Sequence, residues 1–155
     1  MLYSHIHVTR RHLPHWSSEG ATYFITFRTT GGFLTVQEQA VALEHFKLGD
    51  EVFYTMIAVI VMPDHVHVLL TPRKCYALSR VMKGFKGVAA HKINALRGSV
   101  GHVWQDESYD RIVRNDKELR RFFRYMLNNP LKKGLCEYPW TYHGWYCNQA
   151  MNPLE

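Results

Sequence analysis

Residues 51–71 read EVFYTMIAVIVMPDHVHVLLT. Glu51 to Met62 is β-branched and aromatic, the composition of a long strand. Pro63-Asp64 is a tight break, and His65 to Thr71 forms a second strand, so the two runs predict an antiparallel hairpin. Side chains alternate faces along a strand. Val66, Val68 and Leu70 then face a core. His65 and His67 share the other side, about 6.6 Å apart along the strand. Two imidazoles at that separation can converge on one cation. The plainer alternative is two histidines hydrogen-bonded to neighbours on a partly exposed face; their place inside a hydrophobic strand favours a ligand pair. His5-Ile6-His7 has the same spacing but no strand around it to hold it rigid, so no metal site is expected there.

Working outward, Ala21 to Thr30 reads as a strand ended by Gly31-Gly32. Thr35 with Glu38 makes a capping box. The helix behind it places Val36, Ala40, Leu43 and Phe46 at helical spacing, and Gly49-Asp50 closes it. After the hairpin, Ala77 to Leu96 is a helix with Leu78, Val81, Met82, Phe85, Ala89, Ile93 and Leu96 on one face, stopped by Gly98. Gly101 to Val113 reads as a last strand or a strand plus turn. Asn115 with Glu118 makes a second capping box, and the helix from Asp116 to Asn128 buries Leu119, Phe122, Phe123 and Met126. Asn129-Pro130 ends that helix, because the residue before proline is pushed out of the α region. Residues 1–20 read as an irregular leader and 130–155 as an irregular aromatic tail. The order strand–helix–strand–strand–helix–strand is the split βαβ plan. The expected fold class is therefore α+β: a ferredoxin-like or RRM-like antiparallel sheet with helices on one face, plus a C-terminal helix, in one domain over 1–155.

At 155 residues, 46% hydrophobic and 21% charged, the composition is globular, which excludes disorder of the whole chain. No apolar run approaches the ~20 residues of a membrane span, and no apolar segment follows Arg10 and Arg11 to make a signal peptide. Cys75, Cys136 and Cys147 are odd in number and irregularly spaced. They fit a reducing cytosol better than a disulfide framework. A cytoplasmic location without membrane association is expected.

The charge is concentrated. Lys plus Arg is 19 against 13 Asp plus Glu, a net of +6. Arg111, Arg114, Lys117, Arg120, Arg121, Arg124, Lys132 and Lys133 are opposed locally by Asp116 and Glu118 alone, so residues 111–133 carry the whole excess. A solvated helix face would account for this, but so concentrated a basic stretch suggests a polyanion, most simply nucleic acid. Candidate phosphate contacts are Arg10, Arg11, Arg73, Lys74, Lys83, Lys86, Arg111, Arg114, Arg121, Arg124 and Lys132. Tyr23, Phe24, Trp104, Trp140 and Trp145 are either core or stacking surfaces for unpaired bases.

Tyr125 stands four residues before Asn129, so a phenol and an amide oxygen share a helix face. A phenol at its free pKa of ~10 is a poor nucleophile, and a nearby cation and bases would help it. Asn129 could complete a His65, His67, Asn129 site. Imidazole plus amide oxygen suits Mn²⁺ or Mg²⁺ better than zinc. The plainer reading of Tyr125 is an amphipathic helix residue with a buried body and a wet hydroxyl. Tyr109 is the chief rival nucleophile among nine tyrosines.

Several stretches together resemble one family. They are Arg11-His12-Leu13-Pro14-His15-Trp16, Ala21-Thr22-Tyr23-Phe24-Ile25-Thr26-Phe27-Arg28, Met62-Pro63-Asp64-His65-Val66-His67, Trp104-Gln105 with Tyr109-Asp110-Arg111, and Arg124-Tyr125-Met126-Leu127-Asn128-Asn129-Pro130-Leu131-Lys132-Lys133-Gly134-Leu135. In this order, over residues 10 to 146, the chain resembles the REP-associated tyrosine transposases, a branch of the single-tyrosine HUH transposases of insertion sequences. The resemblance implies that His65 and His67 are metal ligands, Tyr125 the nucleophile and Asn129 the third ligand. That third position is usually glutamine in insertion-sequence relatives. It implies a nucleoid-associated enzyme, monomer or homodimer, that binds single-stranded DNA folded into a REP-type hairpin. Such an enzyme cuts beside the hairpin and rejoins strands through a 5′-phosphotyrosine, with Mg²⁺ or Mn²⁺.

Three other readings compete. A histidine-triad hydrolase needs a third histidine where Leu69 stands. A water-using nickase would cut without a protein adduct. A non-catalytic ferredoxin-like module would bind single strands without chemistry.

Overall fold

The computed structural model describes residues 20–155. Its elements are β1 (Thr22–Thr29), α1 (Val36–Leu48), β2 (Tyr54–Val61), β3 (His65–Pro72), α2 (Leu78–Arg97), β4 (Trp104–Val113), α3 (Asp116–Lys132) and β5 (Trp145–Cys147). The strands form one sheet in the order β4-β1-β3-β2-β5. Every pairing is antiparallel. The fold is α+β, and its first four strands follow the split βαβ order expected from the sequence.

The two faces of the sheet have different partners. Ile25, Phe27, Val66, Val68 and Leu70 pack under α1 and α2, against Phe46, Val81, Phe85, Ala89 and Ile93. Phe46 and Phe85 stack with ring centres 3.8 Å apart, and Phe27 meets both edge-on. The opposite face carries Ile57, Ile60, Leu69 and Val113 under α3, which contributes Leu119, Phe122, Phe123 and Met126. β2 shows no polar alternation because both its faces are covered. A register shift between Met56 and Ala58 marks a bulge in it.

Four expectations need correction. α1 does carry the reciprocal Thr35–Glu38 capping box. Its buried face, however, is Glu38, Gln39, Ala42 and Phe46, while Val36 and Ala40 are exposed. The polar pair is buried because it has partners. Arg97 at the end of α2 donates to both Glu38 carboxylate oxygens, and Gln39 Nε2 donates to the Val61 carbonyl and to Tyr142 Oη.

α3 continues through Pro130 to Lys132. A proline so near the end removes one helical hydrogen bond. The last turn closes around it, with Lys133 N–H donating to the Asn129 carbonyl and Leu135 N–H to that of Pro130. At the other end the second capping box is half formed. Asn115 accepts from Glu118 N–H, but the Glu118 side chain accepts from Arg114 N–H.

Residues 130–155 are more ordered than expected. β5 pairs with β2, and short 3₁₀ turns span Pro139–Thr141 and Gln149–Met151. Gly144 permits this close approach, since a Cβ there would collide with the Val61 carbonyl. Among the described residues, no helix is long and apolar enough to cross a membrane.

Candidate active site

Strand register assembles the site floor. On the α3 side of the sheet, His67 lies opposite Thr26, and Thr26 opposite Tyr109. In the next row, Leu69 lies opposite Phe24, and Phe24 opposite Arg111. Toward the hairpin turn, His65 lies opposite Arg28. The rows follow from the two-residue period of three antiparallel strands.

α3 roofs this floor. Phe122 stacks on Phe24 with ring centres 4.5 Å apart and planes within 5°. One turn on, the Tyr125 ring stands edge-on to His67, 5.3 Å between centres. A further turn brings in Asn129, which is buried, whereas Tyr125 is 47% exposed. The i, i+4 spacing thus places an accessible phenol and an inward amide on one side of the helix.

Both imidazoles are buried and held through Nδ1. His65 Nδ1 lies 2.6 Å from Asp64 Oδ1, and the carboxylate can only accept, so Nδ1 donates. His67 Nδ1 lies 2.7 Å from the Thr26 hydroxyl oxygen. The two rings meet edge to face, centres 4.7 Å apart. Burial is the main force on His67 and, with the positive charges of His65 and Arg28, pushes its pKa down to about 3 against the pull of Asp64. Burial likewise lowers His65, in spite of Asp64. Burial would raise Asp64, but the His65 hydrogen bond and the charges of His65 and Arg28 hold it below the usual carboxylate value. Near neutral pH the site therefore holds a neutral His67 beside an ionised Asp64.

Two buried polar atoms here have no hydrogen-bond partner: His67 Nε2 and Asn129 Oδ1. Leaving such atoms orphaned is costly and asks for an explanation. A divalent cation supplies one. An imidazole nitrogen and an amide oxygen are both cation donors, and fixing Nδ1 by a carboxylate or hydroxyl is how metal-binding histidines are oriented. Among the described residues no three His, Cys, Asp or Glu cluster as a metal site. A cation held here would therefore need the amide oxygen as a donor, and imidazole plus amide oxygen is a mixture that suits Mg²⁺ or Mn²⁺.

The basic residues separate into groups. Arg111 and Arg121 line a groove with Tyr109, Tyr125, His67 and Arg28. Arg114, Arg124 and Lys132 are exposed at β4's end and along α3. Arg73 and Lys74 follow β3 at the sheet end away from His65, and Arg73 pairs with Glu51. Lys83 and Lys86 sit on α2 beneath the opposite face, where Lys86 Nζ donates to the carbonyls of Gln105 and Asp106 and to Ser108 Oγ. Arg10, Arg11, His5 and His7 lie outside the described residues. Of the aromatic candidates, Trp104 is core, Phe24 belongs to the site floor, and Trp140 is exposed beside Tyr138.

Four further residues belong to the site beyond those the sequence pattern points to. Arg28 sits two residues past Thr26 on one strand face, a signal that period-two reading carries. Asp64 directly precedes His65. Thr26 was visible only as a strand residue. Glu118 forms ion pairs with both Arg111 and Arg121, at 3.6 and 3.8 Å, which no local pattern announces.

Comparison with known proteins gives a family and a fold. A solved REP-associated tyrosine transposase, bound to a REP hairpin, superposes with a TM-score of 0.67 at 21% identity, over 84% of this chain and 79% of that one. A putative transposase from Deinococcus radiodurans aligns at 18% identity and a TM-score of 0.49, over 69% of this chain and 88% of that one. No curated protein is similar to it in sequence. The family model of IS200-like transposases matches residues 42–129, a stretch that includes His65, His67, Tyr125 and Asn129. That match spans more than half of the sequence, and the chain belongs to the IS200-like transposase family.

Proposed function

We propose that the protein cuts and rejoins single-stranded DNA beside a REP-type hairpin, with Tyr125 as the nucleophile. His65, His67 and Asn129 would hold a divalent cation, Mg²⁺ or Mn²⁺. When bound, it supplies positive charge against the scissile phosphate. Tyr125 is accessible enough to meet a strand entering from solvent. Its Oη loses a proton to water and bonds to phosphorus, and the bond from phosphorus to the 3′ oxygen breaks. The 3′ oxygen takes up a proton and leaves as a hydroxyl. The product is a 5′-phosphotyrosine, so one phosphodiester replaces another and no nucleoside triphosphate is needed. A second 3′ hydroxyl reverses the step and exchanges strands. Arg28, beside His65, and Arg111 and Arg121 stabilise the phosphoryl charge by position and electrostatics. Asp64 and Thr26 keep the two imidazoles oriented.

The observation that carries this reading is the accessible Tyr125 phenol standing over His67, whose Nε2 is buried and unpartnered like the oxygen of Asn129. The test mixes protein, Mn²⁺ and labelled hairpin-bearing single-stranded DNA, followed by a denaturing gel. We expect a shifted, protease-sensitive band that disappears in Tyr125→Phe while DNA binding remains. An adduct persisting in that variant overturns the assignment. Binding without any adduct favours a non-catalytic module, and cut strands without adduct favour a water-using nickase.

A further inference from the structure

We propose that the groove between β4 and α3 is a nucleotide subsite in which an unpaired DNA base stacks on Tyr109 while its phosphates lie on Arg111 and Arg121. This rests on the reading above for the identity of the ligand as single-stranded DNA, but not for any catalytic step.

The groove measures about 570 Å³, room enough for one nucleotide unit. His67 and Tyr125 line one side of it and Tyr109 another, so a nucleotide stacked on Tyr109 adjoins the phosphate that Tyr125 would reach. Its aromatic floor is already satisfied. Phe24 stacks against Phe122 on one side and His67 on the other. The guanidiniums of Arg111 and Arg121 lie 5.4 and 5.1 Å from the Phe122 ring centre. Tyr109 differs. It is 73% exposed on the outermost strand, and its ring has no ring partner among the described residues. A large ring held on a strand beside a cationic groove offers a free π-face to a base.

The charge favours a nucleic acid. Three guanidiniums, of Arg28, Arg111 and Arg121, line the groove, and Glu118 is the carboxylate paired with two of them. A cation stacked on Phe122 and braced by Glu118 is positioned before a phosphate arrives, which lowers the ordering cost of binding. Base-paired DNA cannot use the site, because its bases have no free face. The exposed Tyr138 and Trp140 are the weaker candidates, since their rings already stack on each other, 5.9 Å apart.

The test is a binding cycle without divalent cation, so that no cleavage occurs. The probes are a fluorescent thymidine octamer and an abasic octamer with the same phosphates. Each is titrated against the full chain and its Tyr109→Ala, Tyr109→Phe and Arg111→Gln variants. We expect the parent to prefer the thymidine probe. Tyr109→Ala should weaken the thymidine probe roughly ten-fold and leave the abasic probe unchanged, and Tyr109→Phe should bind like the parent. Arg111→Gln should weaken both probes alike and reduce the salt slope by about one. No preference for the thymidine probe, or a Tyr109→Ala effect that is absent or equal on both probes, overturns the proposal. Because no adduct is measured, failure here is separate from failure of the Tyr125 assignment.

Discussion

The Thr26 hydroxyl oxygen lies 2.7 Å from His67 Nδ1, across the β1–β3 pair, and this contact leaves Nε2 as the nitrogen that faces the site. Removing it should loosen the imidazole rather than the fold. Thr26→Val is expected to weaken Mn²⁺ binding by about 10- to 100-fold in calorimetry, and Asp64→Asn by a similar factor through His65. Unchanged affinity in both would detach these contacts from cation binding.

Asn129 gives a prediction of opposite sign for the apoprotein. Its side-chain oxygen is buried without a partner, which is a destabilising arrangement in the absence of a ligand. Asn129→Ala should therefore melt at the same temperature as the parent or higher when no metal is present. The stabilisation that added Mn²⁺ gives the parent by mass action should be lost or much reduced. A variant that is less stable without metal but gains the full Mn²⁺ shift would show the amide to be structural.

Acid should weaken the metal-free fold through His67. The folded protein resists protonating this ring until about pH 3, whereas the unfolded chain takes the proton near 6.5. Between those values the unfolded state holds more protons, so stability rises with pH; it is complete above about 6.5 and is lost on acidification. One such group contributes at most about 1.4 kcal/mol per pH unit. Urea melts of the apoprotein from pH 7 to 4.5 should fall less steeply for His67→Gln than for the parent. Parallel slopes would show that the buried ring is not the cause.

Glu38 works in the acid range from the opposite group. The Arg97 hydrogen bond is the main reason its carboxyl lies below the usual value; burial opposes, and Thr35 N–H and the Arg97 charge assist. A depressed carboxyl stabilises the fold above its unfolded pKa, and that contribution disappears as pH falls through the lower folded value. Glu38→Gln should cost roughly 2 kcal/mol at pH 7, less than a fully buried pair because Arg97 is partly exposed. The difference from the parent should shrink below about pH 4. A pH-independent difference would assign the loss to packing.

Legibility in the sequence followed from how local each cause is. His65 and His67 were readable as one face because strand alternation needs only Val66, Val68 and Leu70 to say which face packs under α1 and α2. Tyr125 and Asn129 were readable as one helix face, although Pro130 pointed to the wrong helix end; the final turn tolerates the missing N–H because only one bond is lost. The buried face of α1 was misread because Glu38 and Gln39 are polar by type and buried by tertiary partners, Arg97 and the Val61 carbonyl. β5 is three residues long and exists because it pairs with β2, so no periodicity could show it. The basic stretch revealed its total charge but not its division. Arg111 and Arg121 meet at Glu118 only once β4 and α3 are packed, while Arg73 and Lys74 stand at the far end of the sheet.

Peptide mapping of the covalent product tests the central claim most directly. Trypsin cutting after Arg124 and Lys132 releases residues 125–132, in which Tyr125 is the one tyrosine; cutting after Arg97 and Arg111 isolates Tyr109 in residues 98–111. After incubation with Mn²⁺ and hairpin-bearing single-stranded DNA, then nuclease and trypsin, mass spectrometry should find the nucleotide mass on the 125–132 peptide. Finding it on 98–111, or finding cleaved DNA with no modified peptide, would contradict the assignment of Tyr125 as the attacking group.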